Sequence, residues 1–125
     1  MAWDYDWITE EIIGKAFKVS NTLGAGFLEK VYENALAIEL RKSGFSVNQQ
    51  YPIHVHYQGE IVGEYFADLY VEKTVIIELK TVKTLDDIHL AQVLNYLKGT
   101  RNSIALLINF GAPKVQIKRV INNVL

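Results

Sequence analysis

The sequence predicts an α+β domain with the element order ααβββαββ. Two stretches at helical period open the chain, and three stretches rich in Val, Ile, Tyr and Phe follow, separated by short polar breaks, before helical periodicity returns. Size supports one core: 125 residues, 50% hydrophobic and 22% charged, bury roughly two-thirds of their unfolded surface, so a single domain over residues 1–125 is expected.

After Asp6, read as an N-cap with Glu10 and Glu11 in the first turn, Ile8, Ile12, Ile13, Ala16, Phe17 and Val19 recur at helical spacing up to Asn21. Gly24 and Gly26 break the chain. Leu28, Val31, Ala35, Leu36, Ile38 and Leu40 mark a second amphipathic helix over 28–42, closed by Ser43-Gly44. Strands over 47–57 and 61–71 flank the turn signal Gln58-Gly59 and form a hairpin. A third strand over 75–81 follows Glu72-Lys73-Thr74 and completes an antiparallel meander. Thr84 with Asp87 reads as a capping box for a helix through Ile88, Leu90, Val93, Leu94 and Leu97, ended by Gly99. Residues 104–108 form a buried strand. Beyond Gly111-Ala112-Pro113, Val115 and Ile117 among Lys114, Lys118 and Arg119 predict a last strand at a sheet edge.

Composition excludes several classes of function. With no cysteine there are no disulfides, thiolate zinc sites or thiol nucleophiles. The longest apolar run, 104–108, falls far short of the roughly 20 residues of a membrane helix, and the start of the chain does not resemble a signal peptide. A soluble, cytoplasmic protein is expected, with no membrane partner. Net charge is −1, yet residues 1–72 hold five basic and eleven acidic groups while 73–125 hold eight and three. A basic half attracts phosphates, although folding can mix the two halves over one surface. His54 and His56 share a strand face, but neither Cys nor a closely spaced acid completes a zinc site, and His89 is remote in sequence. Signatures of serine hydrolases, dinucleotide folds and common nucleic-acid-binding motifs are absent.

The chemistry lies in the third strand. Glu78 and Lys80 are two apart and share one face of it, while Val75, Ile77 and Leu79 face the other way. Such a pair on an apolar strand is costly to bury unless the two serve each other, a metal or a substrate; a structural ion pair fits the motif as well. If the connection at Glu72-Lys73-Thr74 is odd-numbered, pairing of 71 with 75 places Asp68 opposite Glu78, with Cβ atoms about 5 Å apart, whereas an even-numbered connection without a bulge sends them to opposite faces. Two carboxylates then converge beside one lysine, an arrangement resolved by a shared proton or a bound cation, Mg²⁺ or Mn²⁺ for oxygen ligands alone.

Asp68, nine residues, then Glu78-Leu79-Lys80 resembles the signature of the PD-(D/E)xK phosphodiesterase superfamily. Gly26-Phe27-Leu28-Glu29-Lys30-Val31-Tyr32 resembles the naming motif of its GxxExxY branch, and residues 92–98 and 107–111 also resemble that branch, so the resemblance spans roughly residues 10 to 120. Ala67 stands where the superfamily places proline. The resemblance implies a restriction-endonuclease-like αβββαβ core, a mixed central sheet flanked by helices, with an extra N-terminal helix and a C-terminal strand. It also implies a nuclease: Asp68, Glu78 and the Leu79 carbonyl binding Mg²⁺ (or Mn²⁺), Lys80 acting on water or phosphate, and Glu29 adding a carboxylate from the second helix. Glu29 equally suits a solvated helix position. Gln92 and Tyr96, four apart and rotated from a Leu90, Leu94, Leu97 core stripe, are candidate substrate-positioning residues, or a helix-to-sheet hydrogen bond. Tyr32 is a third, and also reads as a core aromatic with a satisfied hydroxyl. Gly26 suits a helix–helix turn. Lys83, Lys98, Arg101, Lys114, Lys118 and Arg119 can neutralise phosphates or serve solubility. The expected partner is DNA or RNA, with specificity from a homodimer or a protein partner. The alternative function is a catalytically silent nuclease-fold module for nucleic-acid binding or assembly.

Overall fold

The structure, a computed structural model, describes residues 2–100 and 102–122. Its elements follow the expected order: α1 (Ala2–Leu23), α2 (Glu29–Lys42), β1 (Val47–Tyr57), β2 (Glu60–Val71), β3 (Val75–Lys80), α3 (Asp87–Thr100), β4 (Ile104–Asn109) and β5 (Gln116–Ile121). The five strands form one sheet in sequence order. β1, β2 and β3 are antiparallel, as are β4 and β5, whereas β3 and β4 run parallel because α3 carries the chain back between them. The expected mixed sheet is therefore observed, and β5 lies at its edge.

Helices cover both faces. On one, Ile12, Ala16 and Val19 of α1 and Leu36 and Leu40 of α2 pack on Leu69, Val75, Ile77, Leu79, Leu106 and Ile108. On the other, Val93, Tyr96 and Leu97 of α3 pack on Ile53, Ala67, Ile76, Ala105 and Leu107. β4 is buried on both faces, which is why its sequence is a continuous apolar run.

Turn chemistry accounts for the hairpin. Gln58 and Gly59 have φ of 51° and 81°, the paired left-handed conformation whose twist matches the flanking strands. α2 closes at Ser43-Gly44, where the Phe45 N–H reaches back to the Leu40 carbonyl and Gly44 has φ 93°. Gly24 and Gly26, with φ of 72° and 110°, turn the chain between α1 and α2.

Four local expectations are corrected. Asp6 does not cap α1, which starts at Ala2; its carboxylate pairs with Arg119 at 3.0 Å, and Arg119 also donates to the Thr9 hydroxyl. Arg119 thus ties β5 to α1 instead of facing a phosphate. The start of α3 is served by Asp86, whose carboxylate accepts the Ile88 N–H at 3.0 Å, so Thr84 and Asp87 form no capping box. Gly99 lies inside α3 and does not end it. A Cβ there would stand 3.4 Å from Ile53 Cγ2, an ordinary contact, so the position faces β1 without requiring glycine. Finally, the buried stripe of α3 is Val93, Tyr96 and Leu97, with Leu94 only half-buried, so Tyr96 belongs to the core face. Arg101 lies outside the described residues.

The exit of β3 is tied to the end of β4. Buried Asn109 accepts the N–H groups of Val82 and Gly111, each at 3.0 Å, and donates to the Val82 carbonyl and Gln116 Oε1, each at 2.9 Å. At Gly111 a Cβ would fall 2.5 Å from the backbone of Thr81 and Val82. Gly111→Ala is expected to lower the melting temperature by on the order of 10 °C, since neither contact partner is a movable side chain; thermal denaturation followed by circular dichroism checks this.

Candidate active site

β2 pairs with β1 along most of its length but with β3 only from Leu69 to Val71. Val71 pairs with Val75 across the three-residue connection, as the spacing predicts, and that register carries Asp68 towards Glu78. There the strands part. The Asp68 N–H donates to Glu78 Oε1 at 3.1 Å and the Leu79 N–H donates to Asp68 Oδ2 at 2.8 Å, so side-chain carboxylates replace the carbonyls that the ladder no longer supplies.

The pleat changes sides at the same place. Val47 packs against α1 and α2 and Gln49 bonds to Glu33 of α2, whereas Tyr51 and Ile53 turn towards α3. On β2, Leu69 and Val71 face α1 and α2 while Ala67 faces α3. The hand-over falls at Gln50, whose φ of 52° is unusual for a residue other than glycine, and at Asp68 across from it. Asp68 is thereby exposed to charges from both sides of the sheet.

Glu78 is 5% exposed. Burial, then the charge of Asp68, pushes its carboxyl from 4.5 up to about 9, against the pull of the Asp68 N–H and Lys80. Burial also raises Asp68, opposed by its bonds from Leu79 and Gln50. Lys80 lies on the Glu78 face and donates to Gln92 Oε1 at 3.3 Å. Glu29, the first residue of α2, is raised by burial and by Asp68 and lowered by Lys80, which places it within electrostatic reach of the centre. Burial, and then the charges of Glu78 and Asp68, push the Tyr96 phenol up to about 12. The structure thus brings together Asp68, Glu78, Leu79, Lys80, Glu29, Gln92 and Tyr96.

Tyr32 is not with them. It is fully buried, stacked on Phe110 with ring centroids 4.6 Å apart, and its hydroxyl donates to the Gly24 carbonyl and accepts the Phe27 N–H. It fixes the turn from which α2, and so Glu29, begins. Two residues were missed in the sequence. Glu33, 3% exposed, accepts from Lys30, Gln49 and Gln50; its spacing of four from Glu29 places it one helical turn on and was the available signal. Gln50 Nε2 donates to both Glu33 Oε1 at 2.7 Å and Asp68 Oδ1 at 3.1 Å, and no local pattern announces it.

Among the described residues no group of three or more His, Cys, Asp and Glu side chains is arranged to hold a metal ion, and His54 is engaged with Glu64 at 2.7 Å. The donor set offered is two carboxylates and a carbonyl. In a strand the N–H and C=O of one residue point to the same side, so the Leu79 carbonyl, like its N–H, points towards the opening beside β2. This all-oxygen set suits a hard divalent cation that keeps part of its water shell, and a cation would offset the burial and the Asp68 charge that together raise Glu78.

A mixed sheet with helices on both faces, and carboxylates where its second and third strands part, is the restriction-endonuclease-like fold. A family model for the PD-(D/E)XK nuclease superfamily matches residues 6–120, and the chain belongs to that superfamily. Members of this superfamily generally use divalent metals. A solved structure titled "Crystal structure of SSO0001" is similar, with a TM-score of 0.61 and 18% identity; the match covers 98% of this chain and 61% of that one, a likeness of fold. The chain thus spans about 61% of that protein's length. No curated protein matches the chain.

Between 4.5 and about 9, folded Glu78 keeps a proton that the unfolded chain has released, so stability falls as pH rises through that window. The metal-free protein is expected to melt progressively lower from the acid to the alkaline end of it. Glu78→Gln keeps an oxygen for the Asp68 N–H and should flatten the slope and melt higher near its top. Calorimetry in EDTA checks this; parallel slopes in both proteins would contradict it.

Proposed function

We propose that this chain is a Mg²⁺- or Mn²⁺-dependent nuclease of the GxxExxY branch, hydrolysing nucleic-acid phosphodiester bonds at the Asp68, Glu78 and Lys80 centre. Residues 1–125 form, in this reading, one nuclease domain that works in the cytoplasm, with specificity drawn from a second copy or a protein partner. One observation carries the proposal: the buried Glu78 carboxylate and the half-buried Asp68 carboxylate, each accepting a backbone N–H, meet where β2 parts from β3, beside Lys80. Among the described residues no helix is long and apolar enough to cross a membrane.

Asp68, Glu78 and the Leu79 carbonyl would hold the cation, which when bound supplies Lewis-acid stabilisation of charge on the phosphate. Lys80 offers its ammonium to the negative charge that develops at the phosphate or orients the attacking water, and the Gln92 bond aims it. Gln50 fixes the Asp68 carboxylate through Oδ1 while Leu79 fixes it through Oδ2. Glu29 adds negative charge from the α2 side. Tyr96, on the buried face of α3 and within the field of both carboxylates, would help to position the substrate.

Titrating Mg²⁺ and Mn²⁺ into wild type, Glu78→Gln and Lys80→Ala, while following heat and cleavage of labelled DNA and RNA, tests this reading. Wild type should bind and cleave, and Glu78→Gln should lose both. Lys80→Ala should keep cation binding and lose cleavage by a factor of about 10² to 10³. Full cleavage in both variants would remove the proposed centre, and absence of binding at millimolar cation would favour the silent module.

A further inference from the structure

We propose that the groove between α3 and the overhanging part of the β1–β2 hairpin is a pocket for one unpaired nucleobase of the strand engaged at the acidic centre. The inference rests on the nuclease reading and names the form of substrate it takes. Because β2 leaves β3 at Leu69 and the pleat changes sides at Gln50 and Asp68, the rest of the hairpin lies over α3 instead of extending the sheet. Between hairpin and helix is a cavity of about 770 Å³. That is within the range of about 300–1,000 Å³ typical of small-ligand sites.

Its lining matches what a base offers. Tyr65 is 46% exposed, its ring 5.3 Å from that of Tyr96, and presents an aromatic surface on which a base can stack. Gln92 and Asn95 carry amides that donate and accept, as base edges require, and His56 adds a ring nitrogen. Lys98 supplies a cation for the adjoining phosphate. A purely apolar partner would leave these amides unpaired.

The pocket adjoins the acidic centre through Gln92. Gln92 both lines it and holds Lys80 Nζ at 3.3 Å, and the Tyr96 phenol stands within the field of Glu78 and Asp68. A phosphate at Lys80 therefore has its neighbouring nucleoside beside the groove. A base enters only after leaving its stack and its pairing partner, which costs little in a single strand and much more in a duplex.

The test uses the whole chain in EDTA, so that binding is read without cleavage. The probes are short DNA and RNA single strands carrying one 2-aminopurine, and their matching duplexes. Wild type should alter the 2-aminopurine fluorescence and bind single strand in preference to duplex. Tyr65→Ala should weaken single-strand binding about tenfold, with duplex binding unchanged, and Tyr65→Phe should restore it because the stacking face returns. Asn95→Ala, on the exposed side of α3, should reduce discrimination among bases at the probe position. Equal single-strand affinity in wild type and Tyr65→Ala, equal binding of single strand and duplex, or a groove closed by dimerisation with no oligonucleotide bound would each overturn the pocket. Cleavage lost in Glu78→Gln together with Tyr65-independent binding would sink the pocket alone. Tyr65-dependent binding without cleavage under any cation would sink the nuclease reading alone.

Discussion

Everything at this site depends on the parting of β2 from β3. Two N–H groups lose their strand partners there, and a buried backbone donor must find another acceptor. The carboxylates of Glu78 and Asp68 take them, so each acid is fixed by the other's strand. The same bonds bring a buried acid, Glu78, against a half-buried one, Asp68. Burial first and the Asp68 charge second raise the Glu78 carboxyl to about 9, and in the proposed reading a divalent cation would offset that cost.

The surroundings hold that opening rigid. Tyr32 stacks on Phe110 and clamps the α1–α2 turn through both roles of its hydroxyl, while Asn109 ties the exit of β3 to the end of β4. The Gly26–Tyr32 and Leu107–Gly111 segments, remote in sequence, therefore meet as one brace. Its product is the position of Glu29 at the start of α2 and of Lys80 at the end of β3, on opposite sides of Asp68. Gln50 closes the arrangement from β1 by bridging Asp68 to Glu33.

The same hand-over that exposes Asp68 to both faces sends the hairpin over α3 and creates the groove. Site and groove are consequently consequences of one backbone event, the left-handed conformation at Gln50. Of the cations in the basic half of the chain, Arg119 pairs with Asp6, while Lys80 and Lys98 border the site and groove.

The sequence alone determined the element order, the Gln58-Gly59 turn and the closure of α2, because periodicity and short connections are local properties that the chain cannot easily escape, whereas the register that brings Asp68 to Glu78 stayed conditional on an odd-numbered connection until the strand pairing decided it. It also carried the acidic motif and its resemblance to a nuclease family. It did not determine that β3 and β4 run parallel, since a strand buried on both faces has no direction written in its pattern. Nor did it reveal that Asp86 serves the start of α3, that Tyr96 belongs to the buried stripe, or that Gln50 and Glu33 support Asp68. Those are decided by contacts between segments far apart in the chain, where burial and partner distance, and not spacing, set which group is held, which is charged and which is free to meet a substrate.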